Sequence, residues 1–147
     1  MTGRFEGTAV VDRPIEDVFA FLADGTNDPK FSPRVLSISK EPDGPSAVGT
    51  VFVSKVKDAG MKTDRRFELT ELVEPTTIRW SERSKNLVMA DGGYDLEDLG
   101  DGRTKVTFFN TLEGHGFGKV LAGFAVKSAQ RDADAFAQRI KAAVEAS

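Results

Sequence analysis

The stretch RPIEDVFAFLADGTNDPKFSPRV, residues 13–35, sets the interpretation of the whole chain because it contains two interrupted helical segments. Pro14 suits the first turn of a helix, and Asp12 stands where it can cap that helix. Gly25 ends the helix, and the residues after it can form one further short turn. RFEGTAVV at residues 4–11 has the pattern of a strand, so the two helical segments are expected directly after the first strand.

The rest of the chain has the pattern of a series of strands followed by one long helix. Alternation and Gly- or Pro-rich turns predict strands over residues 35–41, 50–57, 63–73, 78–83, 87–99 and 103–113. From Lys119 to Ser147 apolar residues recur at three- and four-residue steps, which predicts an amphipathic helix. Six consecutive strands joined by tight turns form an antiparallel meander, and a lone helix must bury its apolar stripe against it. The predicted fold class is α+β, in one domain over residues 1–147.

The composition is that of an ordinary soluble domain, with 39% hydrophobic and 29% charged residues and a net charge of −3. This charge gives no reason to expect a nucleic acid partner, and the absence of cysteine excludes thiolate chemistry. No stretch approaches the roughly 20 apolar residues of a membrane helix, and no signal peptide is recognisable. We therefore expect a cytoplasmic protein without an integral membrane segment, present as a monomer or homodimer.

Several pieces of the chain, taken in order, resemble one superfamily. They are VVDRPIEDVFAFLAD, DPKFSPRV, VGTVF, LTELVEP followed by IRWSE, and GDGRTKVTF, within residues 9–109. Together they resemble the SRPBCC superfamily of helix-grip proteins, which includes START and birch-pollen-allergen-like domains, and within it the polyketide cyclase/dehydrase and lipid-transport group. The resemblance implies a curved seven-stranded sheet wrapped around the C-terminal helix. It also implies two short helices that cross the concave side and leave a pocket.

Side-chain alternation predicts which residues face this pocket. Phe67 and Leu69 share one face of their strand, but Leu72 breaks the alternation, which predicts a bulge there. Gly92 and Gly93 predict a second bulge or bend. The residues expected to contact a ligand are Phe31, Phe52, Ser54, Phe67, Trp80, Tyr94, Phe108, Asn110, Phe117, Leu121 and Phe124. Such a wall, mostly apolar with a few polar points, is typical of a small-molecule site.

Three side chains are candidates for proton transfer, each with a plainer interpretation. Tyr94 is either a pocket acid or a core tyrosine, and Glu82 is either a buried carboxylate or a strand-end residue paired with an arginine in water. His115, the only histidine, is either a general acid or base or an exposed turn residue. One of Arg65 and Arg66 would point inward and bind a ligand carboxylate, unless both lie on a solvated strand. No metal site or cofactor is expected, because one histidine and scattered carboxylates form no ligand cluster.

Three functions stay open at this point. The preferred one is binding of a small hydrophobic molecule, such as a lipid, an isoprenoid or a polyketide-like aromatic, under the C-terminal helix. The second is an enzyme of the polyketide cyclase or dehydratase type, which needs two titratable groups converging on one point of the pocket. The third is a protein-interaction module with a filled core, which needs an exposed apolar patch.

Overall fold

The computed structural model describes residues 2–58 and 60–147, and it confirms the predicted α+β class as a helix-grip fold. Every predicted helix or strand is present, with boundaries that differ by at most two residues. The elements are β1 (Thr2–Val11), α1 (Ile15–Ala23), a 3-10 segment (Gly25–Lys30), β2 (Val35–Glu41), β3 (Val51–Asp58), β4 (Met61–Val73), β5 (Thr77–Glu82), β6 (Val88–Gly100), β7 (Arg103–Gly114) and α2 (Gly118–Glu145).

All seven strands form one antiparallel sheet in the order β1-β7-β6-β5-β4-β3-β2. The predicted bulge in β4 is confirmed, because its register with β5 shifts between Leu69 and Glu71. Of the bulge or bend predicted at Gly92 and Gly93, the bulge is absent, since the pairing of β6 runs unbroken through both glycines. These glycines serve close packing instead: a Cβ on Gly93 would lie 2.1 Å from the carbonyl oxygen of Ile78.

The long helix α2 packs most closely on the first strand, at Gly7. A Cβ atom on Gly7 would lie 2.5 Å from the carbonyl oxygen of Ala133 and 2.6 Å from the ring of Phe108. A side chain there would push the helix away from the sheet. Gly7 therefore sets how near α2 can approach the concave face.

The end of α2 is fastened to the junction between β1 and α1. The backbone N–H of Asp12 donates to the Glu145 carboxylate at 2.8 Å, and the Arg13 guanidinium donates to the Glu145 carbonyl oxygen. A cation at this helix end also complements the helix dipole. The prediction that Asp12 caps α1 is wrong, because Pro14 occupies the cap position and the Asp12 carboxylate lies 3.7 Å from Lys141 instead.

The 3-10 segment crosses the concave face, as the resemblance implied. Gly25 lies directly on the ring of Phe52, where a Cβ would come within 2.9 Å of the ring carbons. At the other end, the Phe31 carbonyl accepts a hydrogen bond from Nε of Arg139 on α2 at 3.2 Å. The segment thus connects the sheet to the long helix. No helix in the described part of the chain is both long and apolar enough to cross a membrane.

Candidate functional site

A continuous series of aromatic rings occupies the space between the sheet and the second half of α2. The centroids of successive rings lie 6.2 Å apart for Phe5 and Phe108, 4.8 Å for Phe108 and Phe136, 5.7 Å for Phe136 and Phe31, and 6.3 Å for Phe31 and Phe21. Edge and tilted contacts of this kind contribute about 0.5–1.5 kcal/mol each beyond their buried area. Many of the chain's phenylalanines therefore pack against one another under the helix.

The predicted inward face of the sheet agrees with the observed burial. Phe52, Ser54, Glu82, Tyr94 and Phe108 are buried. Phe67, Trp80 and Asn110 are half-buried on the same face, and Phe31 is buried in the turn after the 3-10 segment. Eight of the eleven predicted contact residues thus lie along the interior, counting all of these except Glu82.

Two of the predicted polar points on this face satisfy each other. Nε1 of Trp80 donates to Oδ1 of Asn110 at 3.2 Å, and the Trp80 ring meets the Tyr94 ring edge-on at 5.1 Å. The bond fits only because Gly92 stands between the two strands, where a Cβ would lie 2.2 Å from Oδ1 of Asn110. Trp80 and Asn110 consequently form a fixed part of the wall beside Tyr94.

Glu82 is fully buried and its carboxylate is saturated with donors. Nη1 of Arg65 lies 3.0 Å from both carboxylate oxygens, and the Ala90 N–H and Asn86 amide donate at 2.9 and 2.8 Å. The Ser84 hydroxyl donates as well. Of the two interpretations of Glu82, the buried carboxylate is the one observed. The pairing with Arg65 that the other interpretation expected is also present, but it lies in the interior rather than in water. A carboxylate that already accepts so many bonds is suited to holding strands together rather than to moving a proton.

The two adjacent arginines of β4 point to opposite faces of the sheet. Arg65 lies inward on the Glu82 carboxylate, whereas Nη2 of Arg66 lies 2.9 Å from Glu41 on the exposed side. The inward arginine predicted from the sequence is therefore Arg65. Its charge is already matched by Glu82.

The sequence analysis missed Asp28, which the 3-10 segment carries into the interior. The backbone of Asp28 is fixed, because its carbonyl oxygen accepts from the N–H groups of Phe31 and Ser32 at 3.1 and 2.8 Å. Burial, reinforced by the negative charge of Asp24, raises the pKa of the Asp28 carboxyl to about 7. By accessible surface Asp28 is only half-buried. At neutral pH this group is poised between its acid and its carboxylate form.

Tyr94 faces the same part of the interior as Asp28. Burial, and to a lesser extent the charge of Asp28, raises the pKa of the Tyr94 hydroxyl well above its usual value, so it stays protonated. Among residues 2–58 and 60–147, no hydrogen bond is made by the Asp28 carboxyl or the Tyr94 hydroxyl. Their polar atoms keep some accessible surface, because the fully buried side-chain atoms that lack a partner in the described chain are Oγ of Ser46 and Oγ1 of Thr63.

The cations around Asp28 are engaged elsewhere. Lys40 lies 3.3 Å from Asp24, which also accepts from the N–H and the hydroxyl of Thr26 at 3.1 and 2.6 Å. Burial works against ionisation of Asp24, but these bonds and the charge of Lys40 outweigh it and lower its pKa. Lys30 lies over the Phe21 ring at 5.5 Å, and Arg139 binds the Phe31 carbonyl and Asp132. Among the residues that the structure describes, Asp28 makes no salt bridge, and the negative charge of Asp24 acts on its carboxyl group.

The remaining predicted residues lie at the beginning of α2, on the surface. Phe117 and Phe124 are 74% and 70% exposed, and Leu121 is also exposed. His115 stands in an exposed turn, where its N–H donates to the Leu87 carbonyl at 2.9 Å. We call Leu87, Phe117, Val120, Leu121 and Phe124 the apolar collar.

Two of the recesses on the described surface differ in position and polarity. One, of about 330 Å³, lies beside the apolar collar and is lined by Gly3, Val120, Ala122, Gly123, Phe124, Val126 and Lys127. The other, of about 600 Å³, is open and mixed in polarity, and it is lined by residues of α1, β6, β7 and the turn before β5. Neither recess is lined by Asp28 or Tyr94.

A sequence signal for Asp28 was available. It precedes Pro29 within a segment that was expected to cross the concave side, three residues before Phe31. The side chain of an acidic residue on an element that covers an apolar face must either point towards solvent or lose its hydration. Which of the two occurs depends on the exact turn of the 3-10 segment, which the sequence does not state.

The likeness to known proteins extends over the whole chain. A family model described as polyketide cyclase/dehydrase and lipid transport matches residues 2–145. The Zhui aromatase/cyclase from Streptomyces sp. R1128 superposes with a TM-score of 0.78 at 17% identity, over 99% of this chain and 94% of that chain. A START superfamily protein from Mycobacterium smegmatis gives 0.71 at 15%, over 97% of both chains.

Norcoclaurine synthase from Thalictrum flavum, a point mutant with a transition-state analogue, gives a TM-score of 0.73 at 10% identity, over 99% and 96% of the two chains. No curated protein matches the sequence. At these identities the superpositions concern the fold alone.

Proposed function

Because the chain belongs to the polyketide cyclase/dehydrase and lipid-transport family, we propose that it binds a small hydrophobic molecule between the concave face of the sheet and α2. The observation that supports this proposal is the apolar interior, where the rings of Phe31, Phe108 and Phe136 meet under α2. Tyr94 is buried on the wall of this interior, and its hydroxyl has no hydrogen-bond partner among the described residues. A ligand can supply that partner.

The aromatic packing is compatible with a bound ligand. Phe31 and Phe136 meet edge-on, so a flat apolar ligand that separates them exchanges ring–ring contacts for ring–ligand contacts. The ligand would lie against Phe52, Trp80 and Phe108, with Ser54, Phe67 and Asn110 along its edge. The apolar collar, which includes Phe117, Leu121 and Phe124, would receive the ligand at the surface.

The test is titration of the purified protein with N-phenyl-1-naphthylamine, a neutral dye that fluoresces in apolar surroundings. We expect saturable binding of one dye per chain. Ser54→Phe fills the inward face of β3 and should abolish binding. Ser39→Phe adds the same ring to an exposed position of β2 and should leave binding unchanged. Circular dichroism verifies that both variants are folded.

Two results would refute the binding proposal. One is the absence of saturable dye binding together with native mass spectra that show only empty protein. The other is equal binding by folded Ser54→Phe and Ser39→Phe, which would place the dye outside the interior.

A second candidate, an enzyme of the cyclase or dehydratase type, is favoured by the pKa of about 7 at Asp28 beside Tyr94. In this reaction the Asp28 carboxylate takes a proton from the carbon next to a ketone. The electron pair moves onto the ketone oxygen, where the Tyr94 hydroxyl stabilises the enolate by a hydrogen bond. The enolate carbon then attacks a second carbonyl of the same molecule, whose oxygen becomes an alkoxide and takes back the proton from the Asp28 carboxyl group.

Deuterium exchange distinguishes this enzyme from a binder. If Asp28 acts as a base, the protein should accelerate exchange of the α-protons of 2-tetralone in D₂O, observed by NMR. Asp28→Asn should abolish the acceleration, whereas Asp43→Asn, at an exposed turn, should retain it. Saturable binding of 2-tetralone without accelerated exchange would refute the enzyme and support the binding function.

A further inference from the structure

We propose that the beginning of α2 docks on the surface of an anionic lipid bilayer. The apolar collar would insert among the lipids, and the basic residues around it would face the headgroups. This inference goes beyond the proposed function, because it concerns the outer surface of the chain and does not depend on what the interior binds.

The first turns of α2 expose their large apolar side chains and bury their small residues. Four residues of the apolar collar recur at helical spacing and lie on one exposed face, namely Phe117, Val120, Leu121 and Phe124. The buried residues of the same turns are Gly118 and Ala122. A helix that only covered a sheet would turn its large apolar side chains towards the sheet. The outward stripe is therefore a surface for a partner.

Close backbone contacts fix the rotation that keeps this stripe outward. A Cβ on Gly118 would lie 2.0 Å from the carbonyl oxygen of Leu87, and a Cβ on Gly114 would lie 2.2 Å from the carbonyl oxygen of Gly118. The Leu87 carbonyl also accepts the N–H of His115 at 2.9 Å. The helix cannot turn the stripe inward without losing these contacts, so the exposure belongs to the packed fold.

The charges beside the stripe are positive. Residues 114–131 contain Lys119, Lys127 and Arg131 and no aspartate or glutamate, although the whole chain has a net charge of −3. All three side chains are exposed. Lys127 and Arg131 follow Phe124 at three and seven residues, so they continue the same face of the helix. An apolar stripe bordered by basic residues is the pattern of a helix that lies in a membrane interface.

Two connections between strands add to this surface. The strand register places the β5–β6 connection and the β3–β4 hairpin at one end of the sheet. The beginning of α2 lies at that end as well, because the β5–β6 residue Leu87 packs against Gly118. The first connection carries the exposed Lys85. The second carries Met61, which is 68% exposed, within residues 57–62, which include two lysines and one aspartate.

The opposite end of the sheet is acidic. The hairpin turns over residues 74–76 and 97–103 carry four carboxylates and one arginine. At the α2 end the exposed carboxylates of Asp64 and Glu113 stand against a larger number of lysines. An anionic surface therefore attracts one end of the molecule and repels the other, which orients the apolar collar towards the lipids.

The same distribution favours a bilayer over a second copy of the chain. A symmetric dimer through this surface would bring Lys119 and Lys127 against the same residues of the other copy, and like charges would oppose the contact. The apolar side chains also stand on three separate elements: the beginning of α2, the β5–β6 connection and the β3–β4 hairpin. A fluid lipid surface accepts such separate side chains without a complementary groove.

The test is co-sedimentation of the unaltered protein with vesicles of phosphatidylcholine, either alone or with about 30% phosphatidylglycerol. We expect the protein to bind the mixed vesicles about tenfold or more tightly than the neutral ones. Raising the NaCl concentration from about 0.1 M to about 0.5 M should weaken binding to the mixed vesicles by about tenfold, because salt screens the attraction.

Two double variants separate the apolar contribution from the basic one. Phe117→Ser with Phe124→Ser should weaken binding to the mixed vesicles by about tenfold or more, because the inserted rings are lost. Lys119→Glu with Lys127→Glu should weaken it by a similar factor and remove most of its dependence on salt. Circular dichroism verifies that both variants are folded.

Matched controls lie at the acidic end of the sheet. Val73→Ser with Leu99→Ser removes two exposed apolar side chains there, and Arg103→Glu with Lys105→Glu makes the same change of net charge as the lysine variant. Both controls should bind the mixed vesicles as the unaltered protein does, because this end faces away from the lipid.

Three vesicle results would overturn the inference. They are no binding to the mixed vesicles, equal binding to both kinds of vesicle, and equal binding by the variants and their controls. A dimer in size-exclusion chromatography that becomes a monomer in Phe117→Ser with Phe124→Ser would also overturn it, since the apolar collar would then bind a second copy. Binding of N-phenyl-1-naphthylamine in the interior is measured separately, so either proposal can fail without the other.

Discussion

Nη1 of Arg65 lies 3.0 Å from both carboxylate oxygens of Glu82, whose side chain is fully buried while that of Arg65 is 21% exposed. The pair joins β4 to the end of β5. Its neighbour Arg66 pairs with Glu41 on the other face, where both side chains are about half exposed. The chain thus offers a buried and an exposed ion pair at consecutive positions.

Arg65→Met should destabilise the protein much more than Arg66→Met. Removal of Arg65 leaves the Glu82 carboxylate buried and unpaired, which costs about 3–5 kcal/mol. Removal of Arg66 breaks a solvated pair, which costs about 0–1 kcal/mol. Urea unfolding followed by the fluorescence of Trp80 measures both. Equal losses in the two variants would show that Glu82 does not depend on Arg65.

The fold could be predicted because its signals are local and repeated. The same fold is predicted by alternation in the strands, by the break at Gly25 and by the regular spacing of apolar residues in α2. The bulge in β4 could also be predicted, since Leu72 falls on the wrong side of the alternation set by Phe67 and Leu69. The sequence could not show that β6 has no bulge at Gly92 and Gly93. A glycine that is required by a close neighbour looks the same in sequence as a glycine that is required by a bulge.

The candidate site was harder to predict because it depends on which groups already have partners. Alternation placed Glu82 and Tyr94 on the inward face, but it could not show that Glu82 is saturated while Tyr94 is free. Asp28 was overlooked because its orientation follows from the packing of the 3-10 segment on Phe52. Whether a polar side chain has a hydrogen-bond partner depends on the assembled interior, not on any single segment.

Asp28→Asn should stabilise the protein at alkaline pH but not at acidic pH. The pKa of Asp28 is about 7 in the fold against its ordinary 3.8 in the unfolded chain, so the folded state binds more protons between these values. Stability from this group is therefore complete below about pH 4 and is lost as the pH rises through 7. The lost stability amounts to at most about 4 kcal/mol. Asparagine stays uncharged and escapes this loss.

Urea unfolding of Asp28→Asn and the unaltered protein at several pH values measures this difference. The advantage of the variant should be small near pH 4 and grow up to pH 8. Asp43→Asn provides the matched control at an exposed turn and should show no such trend. A constant difference between Asp28→Asn and the unaltered protein at every pH would contradict the raised pKa.

Gly7→Ala should destabilise the protein by about 1–3 kcal/mol, because the added methyl group would lie 2.5 Å from the Ala133 carbonyl oxygen. The helix must then shift from β1 or the strand must bend. Thr8→Ala on the exposed face of the same strand should change stability much less. Thermal unfolding followed by circular dichroism measures both variants. A neutral Gly7→Ala would mean that α2 does not approach β1 as closely as the structure shows.

The apolar collar should affect the rate of ligand capture rather than the stability of the fold. Phe117 and Phe124 are largely exposed, so the double variant Phe117→Ser, Phe124→Ser should change the free energy of unfolding by less than about 0.5 kcal/mol per position. Stopped-flow measurements with N-phenyl-1-naphthylamine should show slower association, because fewer apolar side chains receive the dye at the surface. Lys119→Ser with Arg131→Ser provides a control on exposed positions of the same helix. Unchanged association combined with a shift from dimer to monomer in size-exclusion chromatography would assign the apolar collar to a second copy of the chain instead.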